Sequence, residues 1–89
     1  MHKAYIVMGK TGEWDSYTEW PVYAYLNKEK AEEHVSKANK RAKEIHTLIM
    51  IAVDEDREIP ELENEYDPVM YMEPNGTSYL IVDIPLETD

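Results

Sequence analysis

The sequence predicts an α+β fold, in which a three-stranded antiparallel sheet packs against one long helix. Two observations support this prediction. The chain opens with a run of β-branched and aromatic residues and then a segment in which the side chains alternate with a period of two, both of which are typical of strands. An apolar stripe with the period of a helix follows them. A chain of 89 residues supports one core, because it buries only about 60 to 65% of its unfolded surface. Residues 1–89 are therefore expected to form a single domain.

The first two strands are predicted to form a hairpin. Residues 4–8 are an apolar run ended by Gly9, which is typical of a central strand buried on both faces. In residues 20–26 the side chains of Trp20, Val22, Ala24 and Leu26 are expected to share one face. Pro21 cannot donate to a ladder, so this second strand is expected to be an edge strand or to be bulged there.

A long helix should follow the hairpin. Asn27 is a favourable N-cap, so the helix should begin at the next residue. Apolar residues recur at spacings of four and three from Ala31 to Ala52, which places one stripe on a single helical face. Residues 47–53 are also typical of a strand, but the stripe keeps its phase, so we expect the helix to continue and to end near residues 54–57.

The last third of the chain is predicted to hold a loop and a final strand. Residues 54–67 contain eight acids and one base without periodicity, which indicates an acidic loop. A short extended piece over residues 69–72, a Pro-Asn-Gly turn at 74–76 and a strand over 78–84, ended by Pro85, follow. If the helix crosses one sheet face, the strand order is 2-1-3, a split β-α-β arrangement.

The negative charge lies in the second half of the chain. Residues 1–46 carry eight Lys or Arg and seven Asp or Glu, whereas residues 47–89 carry twelve acids and one base, Arg57. The formal net charge of −10 repels nucleic-acid phosphates and anionic lipids, and it attracts basic surfaces. We therefore predict a basic protein surface or a nucleic-acid-binding protein as the partner, rather than nucleic acid or a membrane.

The predicted location is the cytoplasm. The sequence contains no cysteine, which fits a reducing compartment. Its first apolar run is five residues long, too short for a signal peptide or a membrane span.

Motifs for catalysis or cofactor binding are weak. Residues 9–11, Gly-Lys-Thr, match the last residues of a phosphate-binding loop. The upstream Gly of that motif and the helix that should follow it are missing. Four acids between Asp54 and Glu65 match calcium-loop offsets, but Ile59 stands where the loop needs Gly. His34 and His46 would lie about 18 Å apart along one helix, too far to share a metal. We predict no cofactor, metal or catalytic residues.

A basic stripe lies beside the apolar stripe of the helix, since Lys30, His34, Lys37 and Arg41 recur at helical spacing. One interpretation is a solvated helix flank. The other is a surface on which the acidic loop docks, within the chain or between chains.

The candidate partner-binding residues combine the acids of residues 54–67 with nearby aromatic residues. The aromatic set is seven Tyr and two Trp without Phe, and such amphipathic side chains suit protein interfaces. The candidates are Asp54, Glu55, Asp56, Glu58, Glu61, Glu63, Glu65, Asp67, Trp14, Tyr17 and Tyr66.

Several stretches resemble a loose group of small, uncharacterised phage and prophage proteins. These are residues 3–8, the strand-to-helix junction at 25–35, the Asn-Glu-Tyr-Asp-Pro of residues 64–68 and the Asn-Gly-Thr-Ser-Tyr of residues 75–79. The group has no established activity, so the resemblance implies a viral or mobile-element context and a host cytoplasm.

Three hypotheses follow. The first is a non-enzymatic acidic protein-binding module, such as a phage accessory protein or a nucleic-acid-mimicking inhibitor. The second is a small carboxylate-based enzyme that depends on a divalent metal. The third is a structural protein that self-associates as a homodimer through exposed Tyr and Trp side chains.

Overall fold

In a computed structural model the chain forms a three-stranded sheet and one helix, and the structure describes residues 2–12, 18–60, 62–68 and 77–87. The elements are strand β1 (His2–Thr11), strand β2 (Thr18–Tyr25), helix α1 (Lys28–Asp54) and strand β3 (Thr77–Leu86). All pairing is antiparallel and the order is β2-β1-β3. The predicted α+β class, the strand order and the long helix between the second and third strands are confirmed.

Strand β2 is both an edge strand and bulged. Val7 pairs with Tyr23 and Met8 pairs with Pro21, so Val22 is an extra residue in the ladder. Pro21 predicted that this strand would be an edge strand or would be bulged, and both alternatives are confirmed.

The bulge changes which residues of β2 share a face. Trp20 pairs with Gly9 and Tyr23 pairs with Val7, and these partners lie two residues apart on β1. Trp20 and Tyr23 therefore point to the same side of the sheet. Val22 packs against the core as Trp20 does, but Ala24 pairs with Ile6 and lies on the opposite side of the sheet. The predicted common face is therefore wrong after the bulge, because the inserted residue shifts the alternation by one.

Helix α1 begins and ends where the sequence predicts. The Asn27 side-chain oxygen accepts a hydrogen bond from the Lys30 N–H at 3.1 Å, which caps the first turn. Residues 47–53 are helical, so the helical interpretation is confirmed. The helix ends as the Glu55 N–H bonds to the Ile51 carbonyl at 3.0 Å, and Asp56 follows in the left-handed region, with φ of 53°.

The core between the helix and the sheet is small. It centres on Val7, Tyr79 and three alanines of the helix, Ala31, Ala38 and Ala42. The helix packs chiefly over β3. Trp20 of β2, on the same side of the sheet, is also buried. Gly9 is required beneath it, since a Cβ there would come within 2.4 Å of the Trp20 ring.

Helix α1 also covers part of the outer edge of β3. The Asn39 side-chain amide donates to the Tyr79 carbonyl at 3.1 Å, and its oxygen accepts from the Tyr79 N–H at 2.7 Å. In an antiparallel ladder every second residue of an edge strand directs its backbone N–H and C=O away from the neighbouring strand, as Tyr79 does here. Pro85 belongs to the same set of alternate residues, so its missing N–H costs no hydrogen bond to β1. The strand therefore continues through Pro85 to Leu86, and the expected end at Pro85 is wrong.

The far side of the sheet has no covering layer among the described residues. Ile6 pairs with Val82 and Met8 with Leu80 on this side, where Ile6 and Met8 are only half-buried. The prediction that residues 4–8 are buried on both faces is therefore wrong for these two. We call this surface the open face; its apolar members are Ala4, Ile6, Met8, Pro21, Ala24, Leu80, Val82, Ile84 and Leu86.

Some predictions fall outside the described residues, namely the extended piece over residues 69–72 and the turn at 74–76. The described part of the chain contains no helix with the combined length and apolarity that crossing a membrane requires.

Candidate functional site: an anchored acidic segment

The second half of the predicted acidic loop is fixed to the fold by a buried carboxylate. Asp67 is 1% exposed. Its Oδ2 accepts hydrogen bonds from the Trp20 Nε1–H at 2.9 Å and from the Tyr79 hydroxyl at 2.7 Å. Because charge-assisted bonds to buried groups are among the stronger ones, Asp67 joins the loop firmly to β2 and β3.

Asn64 makes the second attachment. Its side-chain amide donates to the Ala38 carbonyl at 3.2 Å and to the Tyr79 hydroxyl at 3.4 Å. Its Oδ1 accepts from the Tyr66 N–H at 3.0 Å, an Asx turn, and its carbonyl accepts from the Asp67 N–H at 3.0 Å. Asn64 therefore shapes the turn and holds it against the helix.

The environment of Tyr79 favours its neutral form. Burial raises the pKa of the phenol, and the hydrogen bond and the negative charge of Asp67 raise that pKa further. Tyr79 therefore acts as a hydrogen-bond donor in this cluster, and it does not supply a phenolate.

His34 attaches the segment from the helix side. The Tyr66 carbonyl can only accept, so the His34 Nε2, 2.7 Å away, carries the proton. The other ring nitrogen, Nδ1, lies 2.8 Å from the Tyr25 hydroxyl. Three tyrosine rings lie within 6 Å of the imidazole, those of Tyr23, Tyr25 and Tyr66. Both nitrogens are engaged, so in this geometry His34 positions the segment.

The basic stripe on the helix is partly a docking surface within the chain. The Arg41 Nε donates to the Glu63 carbonyl at 3.1 Å, and His34 contacts the carbonyl of Tyr66. Residues 62–68 therefore dock on two members of the stripe through backbone carbonyls rather than carboxylates. A third member, Lys37, pairs with Glu33 at 2.7 Å, which lowers the pKa of the Glu33 carboxyl through a hydrogen bond and charge attraction.

The remaining described acids of the predicted site point to solvent. Glu63 and Glu65 are exposed on either side of the buried Asn64, and the acids after the helix are exposed as well. Of this set, only Glu55 forms an ion pair with a described cation, Arg57. We call the set the acidic surface: Asp54, Glu55, Asp56, Glu58, Glu63 and Glu65.

Asp67 does not belong to this surface, and its assignment as a partner-binding residue is wrong. Its carboxylate is buried because Trp20 and Tyr79 need an acceptor inside the fold. Tyr66 is half-buried against the core. Trp14, Tyr17 and Glu61 lie outside the described residues.

The sequence analysis placed His34 in the basic stripe on which the acidic loop could dock, but it did not identify the other anchoring residues, which are Trp20, Asn39, Asn64 and Tyr79. A local signal existed only for Asn64, since an Asn followed by polar residues favours an Asx turn. The other three act across 12 to 47 residues of sequence, and no spacing rule identifies such partners.

The chemistry of the described residues is limited. They contain no group of three or more His, Cys, Asp or Glu side chains that could hold a metal ion. An open groove of about 410 Å³ lies between Tyr23, His34 and Tyr66, with Lys30 and Lys37 at its rim.

Comparison with known proteins identifies no relative: no protein-family model, curated protein or solved structure matches this chain.

Proposed function

We propose that this protein is a non-enzymatic protein-binding module that presents its acidic surface to a basic surface of another protein. A nucleic-acid-binding protein is the class of partner that fits best, because its phosphate-binding surface is basic.

One observation carries the proposal. Six carboxylates are exposed over residues 54–65, while the backbone next to them is fixed at both ends, by the cap of α1 and by the buried side chains of Asn64 and Asp67. Fixing the two ends lowers the entropy lost when the segment binds, so the charges can be recognised as a pattern.

The buried polar groups support a structural role. Asp67 and Tyr79 are the buried titratable pair beneath the segment, and they are hydrogen-bonded to each other at 2.7 Å. In this arrangement their interaction serves to hold the segment in place.

The finer proposal is a phage accessory protein that acts in the cytoplasm of a bacterial host and inhibits its partner by mimicking nucleic acid. The resemblance of residues 64–68 and 75–79 to phage and prophage proteins supports a phage origin. The net charge of −10 supports the mimicry of nucleic acid.

The test compares two variants of equal charge. The first converts the six carboxylates of the acidic surface to amides. The control converts six other exposed acids: Glu19, Glu29, Glu32, Glu44, Asp83 and Glu87. Each variant changes six charges and so has a formal net charge of −4 instead of −10.

The wild type and both variants are immobilised and exposed to bacterial lysate at about 50 mM and about 300 mM salt, and captured proteins are identified by mass spectrometry. We expect basic proteins to bind the wild type and the control and to be lost from the acidic-surface variant and at high salt. Equal capture by both variants, or capture that does not respond to salt, would contradict the proposal.

A further inference from the structure

The open face is an exposed surface of large aliphatic side chains. On β3, Leu80, Val82, Ile84 and Leu86 are 36% to 46% exposed. They pair with Met8, Ile6, Ala4 and His2 of β1, so the four aliphatic residues of β3 lie beside three apolar residues of β1. Surfaces of this kind commonly mark a contact with another molecule.

The helix buries mostly small side chains, whereas β3 leaves large aliphatic side chains exposed. Four of the five buried helix residues are alanines, with Ile45 the exception. The other large buried apolar side chains among the described residues are Trp20 and Tyr79. The larger aliphatic side chains of β3 remain outside. The chain therefore gains less from apolar burial as a monomer than its composition allows.

The open face is nearly neutral although the protein is strongly acidic. Its charged residues among those described are Lys10 and Glu19, which have opposite sign and pair across β1 and β2 at one end. The acidic surface follows the helix, and residues 62–68 dock on the helix side of the sheet. Two open faces can therefore meet without bringing the acidic surfaces together.

We propose that two copies of this chain pack through their open faces into a β-sandwich homodimer, with the helices on the outside. Aliphatic side chains from two such sheets interdigitate when the sheets lie about 10 Å apart. The interface differs from the Tyr and Trp contact expected from the sequence, because it uses the aliphatic rows of β1 and β3.

The area of the open face is near the lower limit for a dimer interface. Strands of 8 to 10 residues, spaced about 4.8 Å apart, outline a face of about 33 by 14 Å, or about 450 Å² on each copy. Two copies would bury about 900 Å² of this flat outline, and the relief of the side chains adds to it, which approaches the roughly 1,000 Å² that a specific interface needs.

The shape of the protomer agrees with this inference. Its radius of gyration is 15.1 Å, whereas a compact domain of this length has about 12 Å. Its extents are 57, 27 and 15 Å, so the molecule is thin in one direction.

The test places a charge at the centre of the open face. Val82→Lys would bury two unpaired ammonium groups in the dimer and should raise its dissociation constant by about 100-fold or more. Val82→Thr keeps the shape and should weaken the dimer less. Leu48→Lys is the matched control, because Leu48 is similarly exposed, at 43%, but lies on the helix.

The mass of each protein is measured by sedimentation and light scattering from about 1 µM to about 500 µM, with the helical circular dichroism signal as a check of folding. We expect a dimer for the wild type and Leu48→Lys, and a folded monomer for Val82→Lys. A monomeric wild type over the whole range would overturn the proposal. A dimer that survives Val82→Lys, or that Leu48→Lys disrupts, would also overturn it.

The dimer proposal and the proposed function of the acidic surface can be tested independently of each other. The acidic-surface variant should keep the dimer mass, because none of its six positions lies on the open face. Loss of the dimer in that variant would contradict the separation of the two surfaces.

Discussion

Asp67 shows how the environment of one carboxylate changes its role. Its neighbours Glu63 and Glu65 are exposed, whereas Asp67 accepts hydrogen bonds from Trp20 and Tyr79 inside the fold. The same residue type therefore contributes charge at one position and internal structure at another.

Asp67→Ala should lower the free energy of unfolding by about 3 kcal/mol, because two buried donors lose a charged acceptor. Urea unfolding measures the change. Glu65→Ala is the control in the same segment, and its effect should stay within about 0.5 kcal/mol because its side chain is exposed. Equal effects of the two substitutions would show that Asp67 does not anchor the segment.

The pKa of Tyr79 predicts a loss of stability in alkali. Its pKa is raised in the folded protein, so above the ordinary phenol value of about 10 the unfolded chain releases a proton that the folded chain keeps. The contribution of Tyr79 is fully present below about pH 10 and declines above it, by at most about 1.4 kcal/mol per pH unit.

Urea unfolding of the wild type and Tyr79→Phe between about pH 8 and pH 11 isolates this contribution. The stability difference between the two proteins should shrink as the pH rises above about 10. Tyr23→Phe is the control, since Tyr23 is 57% exposed, and its difference from the wild type should stay nearly constant. Parallel pH profiles for all three proteins would contradict the prediction.

At the scale of the elements, Asn39 connects the helix to the edge of the sheet. Its amide satisfies both backbone groups of Tyr79 on the side that β1 leaves open. Such cover protects an edge strand from pairing with another chain.

Asn39→Ala should destabilise the protein by about 1 to 3 kcal/mol, because a part-buried N–H and carbonyl lose their partners. Thermal or urea unfolding measures the loss, with Lys40→Ala on the exposed neighbour as the control. Amide hydrogen exchange gives a second readout: the Tyr79 amide should exchange faster in Asn39→Ala, and unchanged protection there would contradict the assigned role.

The elements that the sequence predicted well are those set by local rules. The N-cap at Asn27, the phase of the apolar stripe and the missing N–H of Pro21 each act within a few residues. The facing of β2 was mispredicted because the position of one inserted residue, Val22, depends on pairing with β1. The anchoring cluster was missed for a similar reason, since Asp67 meets Trp20 across 47 residues.

At the scale of the whole molecule, charge repulsion opposes folding. The net charge is −10, and within the described part of the chain the acidic surface has one ion pair. Salt screens this repulsion, so unlike a protein stabilised by surface ion pairs, this one should gain stability with salt.

The urea midpoint should therefore rise between about 10 mM and about 500 mM sodium chloride. The increase should be smaller in the acidic-surface variant than in the wild type, since fewer like charges remain to be screened. The charge-matched control variant tests whether position matters, and it should retain more of the increase because its six sites are dispersed. A midpoint that is independent of salt would contradict the prediction.

The open face could not be predicted at this scale from the sequence. Residues 4–8 are apolar at every position, which is equally consistent with a strand covered on two sides and with one covered on one side. Only the course of α1 over a single face of the sheet distinguishes these arrangements. The acidic composition, in contrast, is visible without any coordinates.

The indole of Trp20 rests on Gly9 and donates its N–H to the carboxylate that anchors residues 62–68. Since the chain has two tryptophans, replacing Trp14 with Phe leaves Trp20 as the single tryptophan, which can be excited separately from the tyrosines. Its emission then reports whether the segment is seated on the sheet, so detachment caused by a bound partner can be followed in solution without any added label.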